Sequence, residues 1–152
     1  NKESEEIREK RKGDALMENR MYVNAIRVYQ KLLEKDSREI SREMRERILH
    51  NQGCAYSYLF QMDKALDCFF AAWKVNQSEK ALKIYLLAYR SVHTPEEFEK
   101  IQEDLKAEDS VKKETARALE QFISLPEQKI APGETDRILE DLTREYHRST
   151  GS

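Results

Sequence analysis

The sequence predicts an all-α protein, a stack of antiparallel helix hairpins with about eight helices in a single domain over residues 1–152. Three observations carry this expectation. The 152 residues include only 4 Gly and 3 Pro, too few turn residues for a many-stranded sandwich or barrel. Charged residues make up 37% of the chain and nearly cancel to a net charge of −2, while the 39% that are hydrophobic fall in stripes at helical spacing. Finally, displaced by forty positions, the chain lays core-type residues on core-type residues without a gap.

The first hairpin covers about residues 3–35 and the second about 40–75. Gly13 falls on Gly53, Ala15 on Ala55, Leu16 on Tyr56, Tyr22 on Met62, Ala25 on Ala65, Ile26 on Leu66, Tyr29 on Phe69, Leu32 on Ala72 and Leu33 on Trp73. The second segment of each copy repeats apolar residues at i, i+3, i+4 and i+7, one face of a helix. Small residues allow close crossings, so Gly13 is expected against Ala25 and Gly53 against Ala65. Tyr29 and Phe69 are then expected to fill the groove toward the next hairpin.

These positions resemble the tetratricopeptide repeat family: Gly13, Leu16, Ala25 and Tyr29 in the first copy, and Leu49, Gly53, Tyr56, Ala65, Phe69 and Ala72 in the second. The family repeat is about 34 residues, and the extra length here is placed in residues 36–47, as a longer first helix of the second copy. The family's turn glycine is replaced by Arg20 and Phe60, and its closing proline by Ser37 and Gln77. The resemblance implies a right-handed superhelical solenoid whose first helices line a concave groove.

A third hairpin is expected over about residues 78–107. Ser78 caps a helix carrying Ala81, Leu82, Tyr85, Leu86 and Tyr89. Thr94-Pro95-Glu96-Glu97 combines an N-cap, a first-position proline and a capping-box glutamate, opening a helix with Phe98, Ile101 and Leu105. Aligning Tyr56 with Tyr89 and Met62 with Phe98 predicts a connecting loop grown by three residues. Capping helices are expected over residues 110–148, because the end of a solenoid needs a polar outer face.

The chain has no Gly-rich phosphate loop, no GxSxG elbow, no HExxH pair and no Cys or His cluster with ligand spacing, so neither catalysis nor a metal or cofactor is expected. No apolar run approaches a membrane span. Arg38, Arg42, Arg45 and Arg47 are interleaved with Glu39, Glu43 and Glu46, a near-neutral pattern that argues against a nucleic-acid partner. Cys54 and Cys68 read as free thiols of a cytoplasmic protein. The start at Asn1, without a signal core or an initiator Met, reads as a piece of something longer.

The remaining class is recognition of a protein or peptide segment, which includes a segment of the chain's own full-length protein. First-helix residues facing the groove are expected to make the contacts: Lys10, Asp14, Met17 and Glu18; Arg47, His50, Asn51, Cys54, Ser57 and Tyr58; Lys80, Lys83, Ile84 and Leu87. Some tetratricopeptide domains clamp a client's terminal carboxylate with lysines and asparagines, and Lys10, Asn51 and Lys80 match those positions. Asp14 stands where an asparagine is expected and Ile84 where a basic residue is expected, so the resemblance implies no clamp. The alternatives are assembly as a homodimer and regulation by a small ligand or peptide sensed in the groove.

Overall fold

The computed structural model describes residues 4–36 and 38–107, together with Arg144. The described residues contain no strand, and six helices run through those of 4–107: α1 (Glu5–Glu18), α2 (Tyr22–Leu33), α3 (Arg42–Tyr58), α4 (Met62–Asn76), α5 (Glu79–Val92) and α6 (Pro95–Ala107). The capping helices expected over residues 110–148 lie outside the described residues, Arg144 excepted. The chain divides into two compact units between Asn76 and Gln77, the first holding α1 to α4 and the second α5 and α6.

In the first unit, Ser4 and Ser41 cap α1 and α3, their hydroxyls accepting from Ile7 N at 3.2 Å and Met44 N at 3.1 Å. Glu6, in the first turn of α1, is held below the ordinary glutamate pKa by a backbone hydrogen bond and by Lys35, whose ammonium lies 3.1 Å away. The helix starts are thus written locally, in serines followed by acids.

Both hairpin turns of this unit have one geometry. Arg20 and Phe60 take φ of 60° and 59°. Met21 N donates to Leu16 O and Arg20 N to Met17 O, and forty residues later Gln61 N donates to Tyr56 O and Phe60 N to Ser57 O. This paired closure satisfies the last carbonyls of α1 and α3 and normally places glycine in the left-handed position. Arg20 and Phe60 keep that conformation at a cost of about 1–2 kcal/mol each.

Gly13 and Gly53 are buried, and what buries them is an aromatic ring of their own hairpin. A Cβ on Gly13 would lie 2.5 Å from Tyr29 Cε1, and one on Gly53 would lie 2.6 Å from Phe69 Cε1. The atoms nearest to an added Cβ at either glycine belong to those rings, so the glycines make room for Tyr29 and Phe69. The rings seal their own hairpin instead of only reaching to the next one. Around them lie Ala25, Leu32 and Ile48, with Leu16, Met17, Leu33 and Met44 at the margin, and the buried Ala55, Ala65, Ala72 and Trp73.

Polar bonds join the two hairpins. Arg45 of α3 donates to Leu33 O at 3.1 Å and Lys35 O at 2.6 Å, capping the carbonyl end of α2 with a cation. The buried Gln52 donates to Gln30 Oε1 at 3.2 Å and accepts from Cys68 Sγ at 3.5 Å, so it touches α2 and α4 from α3. Burial, then the nearby Asp67 carboxylate, pushes the Cys68 thiol up to about 12. The extra length assigned to residues 36–47 is divided. Helix α3 has 17 residues against 14 in α1, and the connection before it turns on Asp36, whose carboxylate accepts from Arg38 N at 2.9 Å.

In the second unit, Ser78 caps α5 and the capping box of α6 forms as its sequence dictates: Glu97 N donates to Thr94 Oγ1 at 3.2 Å and Thr94 N to Glu97 Oε1 at 3.1 Å. The expected three-residue growth of the loop does not occur. Helix α5 continues to Val92, α6 begins at Pro95, and only His93 and Thr94 connect them. The added residues prolong helix, where their backbone groups are satisfied in place. His93 stacks on Tyr89 with ring centroids 3.7 Å apart, which fixes the chain as it leaves α5.

Two substitutions test this packing. Gly→Ala in an open helix raises stability by about 1 kcal/mol, so a glycine without a steric role would show a gain. Gly53→Ala is expected instead to lower stability by about 1–3 kcal/mol in urea unfolding, because the Cβ meets the Phe69 ring. Arg20→Gly is expected to raise stability by about 1 kcal/mol in the same measurement, by relieving the left-handed strain.

Candidate functional site

Residues at i, i+4 and i+7 share a helix face, so Lys10, Asp14 and Met17 form one stripe of α1. Arg47, Asn51, Cys54 and Tyr58 form the corresponding stripe of α3. Asp14 joins the two stripes. Its Oδ2 accepts from Lys10 Nζ at 2.8 Å, and its Oδ1 accepts from Asn51 Nδ2 at 3.1 Å and from the Tyr29 hydroxyl at 2.5 Å. Three helices are thereby tied to one carboxylate. Burial, then the Asp14 carboxylate, pushes the Tyr29 phenol well above the ordinary range, which keeps its proton in place as a donor.

The two stripes run in the same direction. Tyr22, at the start of α2, stacks on Tyr58, at the end of α3, with centroids 4.8 Å apart, while Arg45 near the start of α3 reaches the end of α2. Lys35, just past α2, pairs with Glu6 at the start of α1. Helices α1 and α3 are therefore parallel, with α2 antiparallel to both.

Several residues expected in a groove are placed otherwise. His50 is 1% exposed, lying 5.7 Å from the Phe69 ring centroid with its Nε2 3.5 Å from Cys54 Sγ. Cys54 is buried as well, so both residues serve packing rather than a ligand surface. Asn51 and Lys10 are also largely buried, committed to Asp14. Met17 packs against the core. Ser57 is half-buried with its hydroxyl on Cys54 O, Asp14 and Arg47 are half-buried, and Glu18 and Tyr58 are exposed, which leaves Asp14, Glu18, Arg47 and Tyr58 to face outward. In the second unit, Ile84 is 2% exposed and so unavailable to a ligand. Lys80 is exposed there, Lys83 pairs with Glu79 at 3.1 Å, and Leu87 is half-buried.

The packing set behaves uniformly. Gly13, Ala25, Tyr29, Gly53, Ala65, Phe69 and Ala72 are buried and Tyr56 is half-buried, with Lys64 Nζ 5.8 Å from its ring centroid. Among the basic residues of residues 38–47, Arg45 is turned onto backbone carbonyls and away from any phosphate-tracking role. No group of three or more His, Cys, Asp and Glu among the described residues is arranged to hold a metal ion. No described helix is long and apolar enough to cross a membrane.

The hydroxyl of Tyr29 and the bridging amide of Gln52 make polar contacts that the sequence pattern does not single out. A signal for the first existed at the forty-residue offset. Lys10, Asp14 and Tyr29 correspond to His50, Cys54 and Phe69, so the phenol occurs where the carboxylate does and the plain ring where the thiol does. No family model matches the chain, and no curated protein or solved structure matches it either.

Asp14→Ala removes the acceptor for three donors, all of them on buried residues. It is expected to cost about 1–3 kcal/mol in urea unfolding. Tyr29→Phe is expected to cost about 1 kcal/mol, and less when Asp14 is already alanine, in a double-mutant cycle.

Proposed function

We propose that this chain is a tetratricopeptide-like interaction module, not an enzyme, whose α1–α3 strip docks a protein or peptide segment. The carrying observation is the Asp14–Asn51 bond. It sets two parallel first helices side by side with Asp14, Arg47 and Tyr58 still open to solvent, a shallow polar and aromatic strip of the kind that receives an extended or helical segment. The shared turn geometry and the matched Gly13–Tyr29 and Gly53–Phe69 contacts support the repeat reading. The free thiols Cys54 and Cys68 support a reducing, cytoplasmic setting.

A second reading, self-association, is favoured by one observation. Phe60 is 88% exposed in the α3–α4 turn, and Met21, Val23 and Tyr58 are also exposed apolar or aromatic residues of this unit.

Selection of a random dodecamer display library on the immobilised chain tests docking, with the bound site mapped by amide chemical shifts. Enriched peptides are expected to shift residues of α1 and α3. Failure to enrich any sequence, or shifts confined to α2 and α4, would discard the docking reading. Sedimentation over a wide concentration range tests the second reading: a dimer that Phe60→Ser returns to monomer supports it, and a monomer throughout removes it.

A further inference from the structure

Arg20 and Phe60 hold equivalent places in the two hairpin turns of the first unit, at φ of 60° and 59°. Each bears the strain of a left-handed backbone, which glycine would not, and neither side chain offsets that strain by packing. Phe60 is 88% exposed. Arg20 is exposed too, and its guanidinium makes no ion pair or hydrogen bond among the described residues. One turn thus presents a bare aromatic ring and the other a cation without a partner, the two halves of a cation–π contact.

The fold sets these halves side by side. Tyr22, two residues after Arg20, stacks on Tyr58, two residues before Phe60, with ring centroids 4.8 Å apart. The two turns therefore share one end of the unit, and the exposed Met21 and Val23 widen that end into an apolar face. Within one copy the contact is not made, since no cation lies over the Phe60 ring among the described residues. Charge around the face cancels, with Glu18 and Asp63 exposed against Arg20 and Lys64, so no net field draws it to an anionic surface.

We propose that a second copy of this chain covers the face in a two-fold dimer, in which the α1–α2 turn of each copy meets the α3–α4 turn of the other and each Arg20 lies over the partner subunit's Phe60. Such an interface is isologous, so one complementary pair of residues supplies the contact twice. Charge selects the crossed arrangement. Turn against like turn would oppose Arg20 to Arg20 and leave both rings without a cation, whereas turn against unlike turn gives every ring its cation. Few large side chains form the face, so the dimer is transient and concentration-dependent rather than obligate. The proposal rests on the self-association reading above and names the contact that carries it.

Sedimentation of the full chain and its variants tests this. The chain is expected to dimerise below about 1 mM. Arg20→Gly and Phe60→Gly are each expected to weaken the dimer by about tenfold, while each raises the urea-unfolding stability of the dilute monomer, because glycine relieves the left-handed turn. These opposite signs separate association from folding. Mixing the two variants separates crossed from like pairing, because a crossed mixed dimer regains one intact Arg20–Phe60 contact. The mixed dimer should be about threefold tighter than either variant's own, once the statistical preference for mixed pairs is removed. A dimer untouched by Arg20→Gly, or a mixture no tighter than its parts, overturns the crossed contact and leaves self-association standing. A monomer up to about 1 mM removes both together. Pelleting with phosphatidylserine vesicles by a chain that stays monomeric would give the face to lipid and overturn the proposal as well.

Discussion

The ring of Tyr29 against Gly13, and of Phe69 against Gly53, is the contact on which the rest of the first unit depends. An aromatic ring can lie on a neighbouring helix only where that helix has no Cβ, and at both glycines a methyl group would sit inside the ring's contact distance. Once the ring is seated, the hairpin angle is set. The chain must then turn back through only three residues, 19–21 and 59–61, and it does so by forcing Arg20 and Phe60 into a left-handed conformation. Packing outweighs local backbone preference here, since burying an aromatic side chain contributes more than the turn residue loses.

From that common frame the two hairpins diverge in what surrounds the ring. In the first, Lys10, Asp14 and the Tyr29 hydroxyl form a charged network that reaches Asn51; in the second, His50, Cys54 and Phe69 occupy the equivalent places as a buried, uncharged-looking group. The difference has a physical basis in position. Asp14 keeps a third of its side chain in solvent, where an ionised carboxylate is tolerable, whereas His50 and Cys54 lie inside. One hairpin therefore contributes a polar surface and the other contributes mass to the core.

The starts of α5 and α6 were legible in the sequence because caps are local: Ser78 and the Thr94–Glu97 box each act within one turn, as Ser4 and Ser41 do in the structure. The glycine and aromatic positions were legible because the forty-residue offset brings them into register. The outward-facing residues were legible only in outline. Arg47, Asp14 and Tyr58 face outward as periodicity suggests, but His50, Cys54 and Ile84 share that periodicity and are buried. A stripe identifies a helix face and not what covers it.

By itself, the sequence determined the helical class, the places where helices begin, and the spacing that lays Tyr29 and Phe69 four turns and more from their glycines, because all of these follow from interactions within a turn or from a repeated pattern. Only the tertiary structure decided that the glycines receive the rings of Tyr29 and Phe69, that Arg45 caps a helix it does not belong to, and that Asp14 gathers three donors. Those outcomes depend on which side chains meet across helices, and such meetings are fixed by packing in three dimensions, where one carboxylate can satisfy residues 4, 15 and 37 positions away.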